Sequence, residues 1–244
     1  MIELKNVSKL YGSKLALDGI DLKLPLGEIV GLFGENGAGK TTLMKCILGY
    51  IGFKGEITLN GEAITRKNIE NLSFATSEHS YFPSLSAKGH REFYAEHFPN
   101  FSHQRFLSLM DFFELPMNKH ISSFSTGQKN QFEVIMALSQ GAKYILMDEP
   151  FAGNDIFNRE DFYKVLLGIL RPDETVILST HLLEEVSAFI SRAVLIRKGR
   201  LVGDITTDEL EEQGTDLISH IKHTYNYRAD RVSKTISELA GEEE

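Results

Sequence analysis

The 244 residues predict an α/β fold: a mostly parallel buried sheet, an antiparallel β subdomain near the N-terminus, and a helical subdomain inserted in the core. Three observations carry this. Ile29 to Phe33, Tyr144 to Met147, Val176 to Leu178 and Val194 to Ile196 are short continuous apolar runs, the pattern of strands buried on both faces. Helical segments separate them, as βαβ units require. The opening region alternates instead: Ile20, Leu22 and Leu24 point one way with Asp21 and Lys23 between them, which is a half-buried strand.

Each element has its own signal. Pro25-Leu26-Gly27 is a turn, and Asn60-Gly61 after Ile57/Leu59 is a hairpin turn, so these pieces, with Ile2/Leu4, read as a small antiparallel sheet. Residues 78 to 138 read as helical. Ser86 caps a helix running toward Phe98, which Pro99 ends. Ser102 caps another, with Phe106, Leu109, Met110 and Phe113 on one face and Pro116 after it. That aromatic stripe reads as core.

Composition narrows the function classes. The formal net charge of -8 argues against a general nucleic-acid binder, which needs a basic field. The single cysteine, Cys46, excludes an intramolecular disulfide and a cysteine-rich metal site, and reads as a reduced, partly buried thiol. No apolar stretch is long enough to cross a bilayer, and Ile2-Glu3-Leu4-Lys5 reads as the start of the fold and not as a signal peptide. A cytoplasmic chain is expected, whose membrane role would run through a partner.

Gly34-Glu35-Asn36-Gly37-Ala38-Gly39-Lys40-Thr41 fits G-x-x-x-x-G-K-[ST] in full, between a buried strand and the helical run Thr41 to Leu48. The residue types follow from phosphate chemistry. Glycines let backbone N–H groups turn inward around phosphate oxygens, and the following helix aims its positive end at the same anion. Lys40 is expected to reach the β- and γ-phosphates, and the Thr41 hydroxyl to bind Mg²⁺. With Thr42, this loop is the expected nucleotide-binding segment of a P-loop NTPase core. Tyr144 to Met147 then ends in Asp148 and Glu149, at the strand end where ligands gather in an open parallel sheet. Asp148 is expected to hold Mg²⁺, directly or through water, and Glu149 to polarise the attacking water.

With these motifs the chain resembles the ABC family of ATPases, specifically transporter nucleotide-binding subunits. Phe124-Ser125-Thr126-Gly127-Gln128 resembles that family's signature loop, and it lies shortly before the acidic strand and opens a helix. The resemblance, over residues 1 to 205, implies further roles. Tyr11 would stack on adenine. Ser125, Gly127 and Gln128 would contact ATP held by a second subunit. Asp155 would contact that subunit, and His181 would sense γ-phosphate beside the catalytic Lys40 and Glu149. The implied partners are a second ATPase chain, identical or paralogous, and a transmembrane permease subunit docking beside residues 77 to 100, with the chain peripheral on the cytoplasmic face. Export is the implied direction.

Three positions depart from the family pattern. No glutamine follows the segment Leu72-Ser73-Phe74-Ala75-Thr76, where Ser77 or Glu78 stands instead. Thr126 replaces a glycine, and Asn154 stands where leucine is common. A soluble ABC ATPase acting on nucleic acid or ribosomes is the alternative, but it would carry two cassettes or a long coiled-coil insertion. A P-loop kinase or GTPase leaves the signature loop, Asp155 and His181 unexplained. Residues 206–244 read as a variable C-terminal helical extension, with Val232, Ile236 and Leu239 at helical spacing.

Overall fold

The computed structural model describes residues 1–150, 156–180 and 183–225. In chain order the first half runs β1 (Ile2–Tyr11), β2 (Lys14–Leu24), β3 (Ile29–Phe33), α1 (Lys40–Ile47), β4 (Lys54–Leu59), β5 (Glu62–Ala63), β6 (Leu72–Thr76), α2 (Ala87–His97) and α3 (His103–Phe112). The second half runs α4 (Thr126–Ser139), β7 (Tyr144–Asp148), α5 (Ile156–Ile169), β8 (Thr175–Ser179), α6 (Leu183–Val186), β9 (Arg192–Arg197), β10 (Arg200–Thr206), α7 (Thr207–Glu212) and α8 (Leu217–Thr224).

Two sheets form. The smaller is antiparallel, in the order β2-β1-β4-β5. Asn60 (φ 54) and Gly61 (φ 82) both adopt positive φ between β4 and β5, as a type I′ hairpin demands. The larger has the order β10-β9-β3-β8-β7-β6, parallel from β9 through β6, with β10 antiparallel on β9. The four apolar runs are its central strands. Ile145 and Met147 face one apolar cluster while Tyr144 and Leu146 face another, so both faces of the sheet are covered. This explains the continuous hydrophobicity, since a strand in such a place has no solvent side. The edge strand β6 is wholly buried although Ser73 and Thr76 interrupt its apolar pattern.

Between the two sheets lies α1, whose Leu43, Met44, Cys46 and Ile47 pack with Ile2, Leu4, Ile20 and Leu32. Burial pushes the Cys46 thiol up to about 11, which leaves it an inert packing group. The opposite face carries α2 to α5. Ser86 and Ser102 cap α2 and α3 by accepting from Gly89 N (3.1 Å) and Arg105 N (3.2 Å). Phe106, Leu109 and Met110 are buried, so the stripe is core. Beyond β10, Leu210, Leu217 and Ile221 of α7 and α8 join the same cluster as Phe106 and Ile145. The helical spacing expected at Val232, Ile236 and Leu239 falls outside the described residues.

Arg105 braces the helical layer from inside. Its guanidinium donates to both carboxylate oxygens of Glu174 (3.0 and 2.9 Å), to Leu138 O (2.9 Å) and to Ile169 O (2.6 Å). Both charged side chains are buried. Removing one partner leaves the other charge buried and alone, which typically costs about 3–5 kcal/mol. Arg105→Ala should therefore lose about 3–5 kcal/mol in urea unfolding, and a loss below about 1 kcal/mol would show that the pair is not holding α3 to the ends of α4 and α5.

Candidate active site

Strand order places the carboxyl ends of β3, β8, β7 and β6 side by side. Asp148 pairs in register with Ser179 on one side and Thr76 on the other, and Leu32 pairs with Ser179. The segment after β3 is the glycine-rich loop, and its sequence is dictated by crowding. A Cβ on Gly34 would stand 2.4 Å from Ile196 O, and Gly39 takes φ 117 with its Cβ position 2.8 Å from Ala16 O. Gly39 is also the N-cap of α1, and no side chain caps the helix. The first N–H groups of α1 are thus left open toward the cleft, as an anion site needs.

A cleft of ≈ 250 Å³ opens there. Asn36, Gly37, Gly39, Lys40, Thr41 and Thr42 form its floor, Asp148 and Glu149 one wall, and Tyr11, Lys14 and Ala16 of the β1–β2 hairpin the rim. Gly34, Glu35 and Ala38 lie outside this lining. Lys40 is buried, and its Nζ folds back to donate to Gly34 O (2.7 Å) and Glu35 O (3.3 Å). The Thr41 hydroxyl donates to Asp148 Oδ2 (2.6 Å), and the Ser179 hydroxyl donates to Asp148 Oδ1. Ser179 was not among the sequence-derived site residues. Its only signal was its place at a strand end, because a serine carries no motif of its own.

Glu149 adopts φ 48, a conformation uncommon for a non-glycine residue, and it stands before Pro150. Its N–H donates to Ser179 O (3.0 Å), so the turn that places it in the cleft is anchored on β8. Backbone held in this way costs about 1–3 kcal/mol and clusters at functional sites. His181 and Asp155 lie outside the described residues.

Ser125, Gly127 and Gln128 open α4, away from the residues that line the cleft. Ser125 Oγ accepts from Gln128 N (3.2 Å) and Gln128 Oε1 accepts from Ser125 N (3.0 Å), a capping box that presents this helix end on the surface with Ser125 and Thr126 exposed. A single chain therefore gathers the loop, the two carboxylates and Tyr11, but not the signature residues.

The segment lacking a glutamine is tied down on two sides. Glu78 pairs with Lys45 of α1, with both carboxylate oxygens 2.8 Å from Nζ. Ser77 shares a small cavity with Asn130, Glu133 and Glu149. Glu133 of α4 is buried and accepts from Ser80 N (3.0 and 3.2 Å) and from the Ser80 hydroxyl. Glu133 was not anticipated either, since an acidic residue on a helix ordinarily faces solvent.

The fold and this cleft define a P-loop ATPase, which binds nucleotide at a glycine-rich loop and acts on it with strand-end carboxylates. More narrowly, the chain belongs to the ABC transporter family, whose model matches residues 17–152. It is similar to the ABC transporter ATP-binding protein YtrB of Bacillus subtilis, 28% identical over 87% of this chain and 74% of that protein. The SkfA peptide export ATP-binding protein SkfE of Bacillus subtilis is 30% identical over 87% of this chain and 92% of that protein. Among solved structures, the ATP-binding subunit of an ABC transporter superposes with a TM-score of 0.80 at 22% identity, covering 92% of this chain and 99% of that one. A dimeric ATP-binding cassette in a post-hydrolysis state, bound to ADP and Pi, gives a TM-score of 0.73 at 23% identity, covering 84% and 98%. The chain is thus an ATP-binding subunit of this family, an ATPase serving ATP-powered transport.

Burial pushes the Glu133 carboxyl up to about 7, against the opposing pull of its bonds from Ser80. The native chain then keeps this proton to near neutral pH, while the unfolded chain loses it near 4.5. Glu133's contribution is full below that value and is lost as pH rises toward about 7. Glu133→Gln copies the protonated form. It should match the parent near pH 5 and exceed it by about 1–3 kcal/mol near pH 8. Urea unfolding at the two pH values checks this, and a difference that does not change with pH contradicts it.

Proposed function

We propose that this chain is the ATP-hydrolysing subunit of an exporter whose membrane-spanning part is a separate permease subunit, and that two ATPase chains, identical or paralogous, close around ATP. The observation that carries it is the division of the site: one chain brings Lys40, Thr41, Asp148 and Glu149 to one cleft, while Ser125, Gly127 and Gln128 stand at another helix end, where Ser125 is exposed and Gly127 and Gln128 are half-buried. Each chain thus offers a donor set and lacks a cover for it. In the closed pair, the Ser125 end of one chain faces the phosphates held by the other, and Asp155 contacts the partner. ATP binds the closed pair better than the open one, so binding shifts the population and hydrolysis releases it.

The residues fit a divalent cation of the Mg²⁺ type. The Thr41 hydroxyl and the Asp148 carboxylate meet at 2.6 Å, and both are hard oxygen donors. Among the described residues no group of three His, Cys, Asp or Glu forms a site by itself, which suits an ion that takes its remaining ligands from phosphate and water. When bound, Mg²⁺ supplies charge neutralisation on the transferring phosphoryl group. The protein's own residues do the rest. Lys40 leaves its two carbonyl partners for the β- and γ-phosphates. Tyr11, on the rim, stacks on adenine. Glu149 orients the attacking water and accepts its proton, and His181 holds the γ-phosphate in line.

Among the described residues no helix is long and apolar enough to cross a membrane, so transport needs a partner that does. The groove beside residues 77 to 100 is our site for the permease, which would hold this chain on the cytoplasmic face. The export name of the relative SkfE supports the direction. The unit spans residues 1–205 with the helical subdomain at 78–138, and 206–244 extends it.

Glu149→Gln keeps the shape of the side chain and removes one charge near the triphosphate. Single-turnover hydrolysis should fall by about 10²–10⁴ while ATP affinity survives, and light scattering should show the variant dimerising at saturating ATP and Mg²⁺. Lys40→Ala should lose ATP binding itself. Near-normal hydrolysis by Glu149→Gln would move the base elsewhere, and a variant that stays monomeric would refute the shared site.

A further inference from the structure

The last described residue of the C-terminal extension reaches the root of the phosphate loop. Tyr225 closes α8, and its hydroxyl lies 3.2 Å from Phe33 O and 3.1 Å from Ile196 O. Phe33 O belongs to the peptide unit that ends β3 and begins the loop at Gly34. Ile196 O is the carbonyl that crowds Gly34 so closely that only a glycine fits. One phenolic hydrogen is shared by the two acceptors, so the hydroxyl bridges the ends of β3 and β9 at the point where the loop departs.

We propose that Tyr225 is a positioning residue for ATP binding, through which the C-terminal extension sets the orientation of the phosphate loop. The peptide unit is planar, so a donor on Phe33 O also fixes the direction of the Gly34 N–H on the same unit. The next two carbonyls, Gly34 O and Glu35 O, are held by Lys40. Lys40 must release them to meet phosphate, and the Tyr225 bridge then keeps the root of the loop in place. The anchor is firm because Leu217 and Ile221 fix α8 in the apolar cluster beneath the sheet. It is also indifferent to physiological pH. Burial first, and the charge of Glu35 second, push the phenol up to about 12, so it remains a donor throughout. Residues 206–225 are therefore part of the nucleotide site's support.

The proposal rests on the reading that ATP binds at this loop. Tyr225→Phe in the full chain keeps the ring and removes the bridge. Calorimetric titration with ATP and Mg²⁺ should show affinity weakened about 3- to 10-fold, the worth of one neutral hydrogen bond. The weakening should be the same from pH 6.5 to 8.5, with kcat at saturating ATP within about twofold of the parent, so the effect falls on KM. Leu109→Ala trims the same apolar cluster from α3, away from α8 and the bridge, and should lower the melting temperature while leaving affinity unchanged. Parental affinity in Tyr225→Phe, or equal weakening by Leu109→Ala, overturns the proposal. Lys40→Ala separates the two levels. If it still abolishes ATP binding, only the role of Tyr225 has failed; if it binds normally, the placement of ATP at this loop has failed.

Discussion

A buried carboxylate with hydroxyl donors on both sides organises this molecule. Asp148 ends the central strand β7, and burial obliges it to find partners. It takes one from Thr41, at the start of α1, and one from Ser179, at the end of β8. These two bonds tie together three consecutive pieces of the sheet's carboxyl edge. The phosphate loop is thereby held between β3 and the helix that follows. The same two hydroxyls leave the carboxylate oriented for a cation, so the bonds that stabilise this strand end also prepare it for a ligand.

The surrounding structure reads as support for this edge. The antiparallel sheet supplies the rim and packs against α1. The helical layer, braced by Arg105 and Glu174, carries the end of α4 that bears Ser125 to the surface. The loop after β6 connects these parts. Glu78 ties it to α1 through Lys45, and Ser80 ties it to α4 through Glu133. A shift of α4 is thus linked by short polar contacts to the helix beneath the phosphates. The buried Glu133 is the acidic member of that link, and its raised affinity for protons is the physical sign of how dry the junction is.

Much of this was legible in the sequence because the signals are local. Continuous apolar runs gave the central strands, serines gave the caps of α2 and α3, and the Gly34–Thr41 motif gave the floor of the cleft. What escaped depends on neighbours distant in the chain. Ser73 and Thr76 hid β6, since small polar residues interrupt the apolar run of a strand that is nonetheless buried along its whole length. Ser179, Glu133 and Tyr225 matter through residues 31, 53 and 192 positions away. No period or motif in the chain brings such pairs together; sheet order does. Asp155 and His181, carried only by resemblance, fall outside the described residues.

The central claim is that Asp148 is the metal-holding carboxylate of the nucleotide site, and equilibrium binding of ATP with and without Mg²⁺ tests it most directly. In the parent chain Mg²⁺ should tighten ATP binding. Asp148→Asn keeps the shape and can still accept the Thr41 hydrogen bond, so it should bind ATP without metal at least as well as the parent and gain little when Mg²⁺ is added. If Asp148→Asn retains the full Mg²⁺-dependent gain, the carboxylate does not hold the cation, and the account of this strand end is wrong.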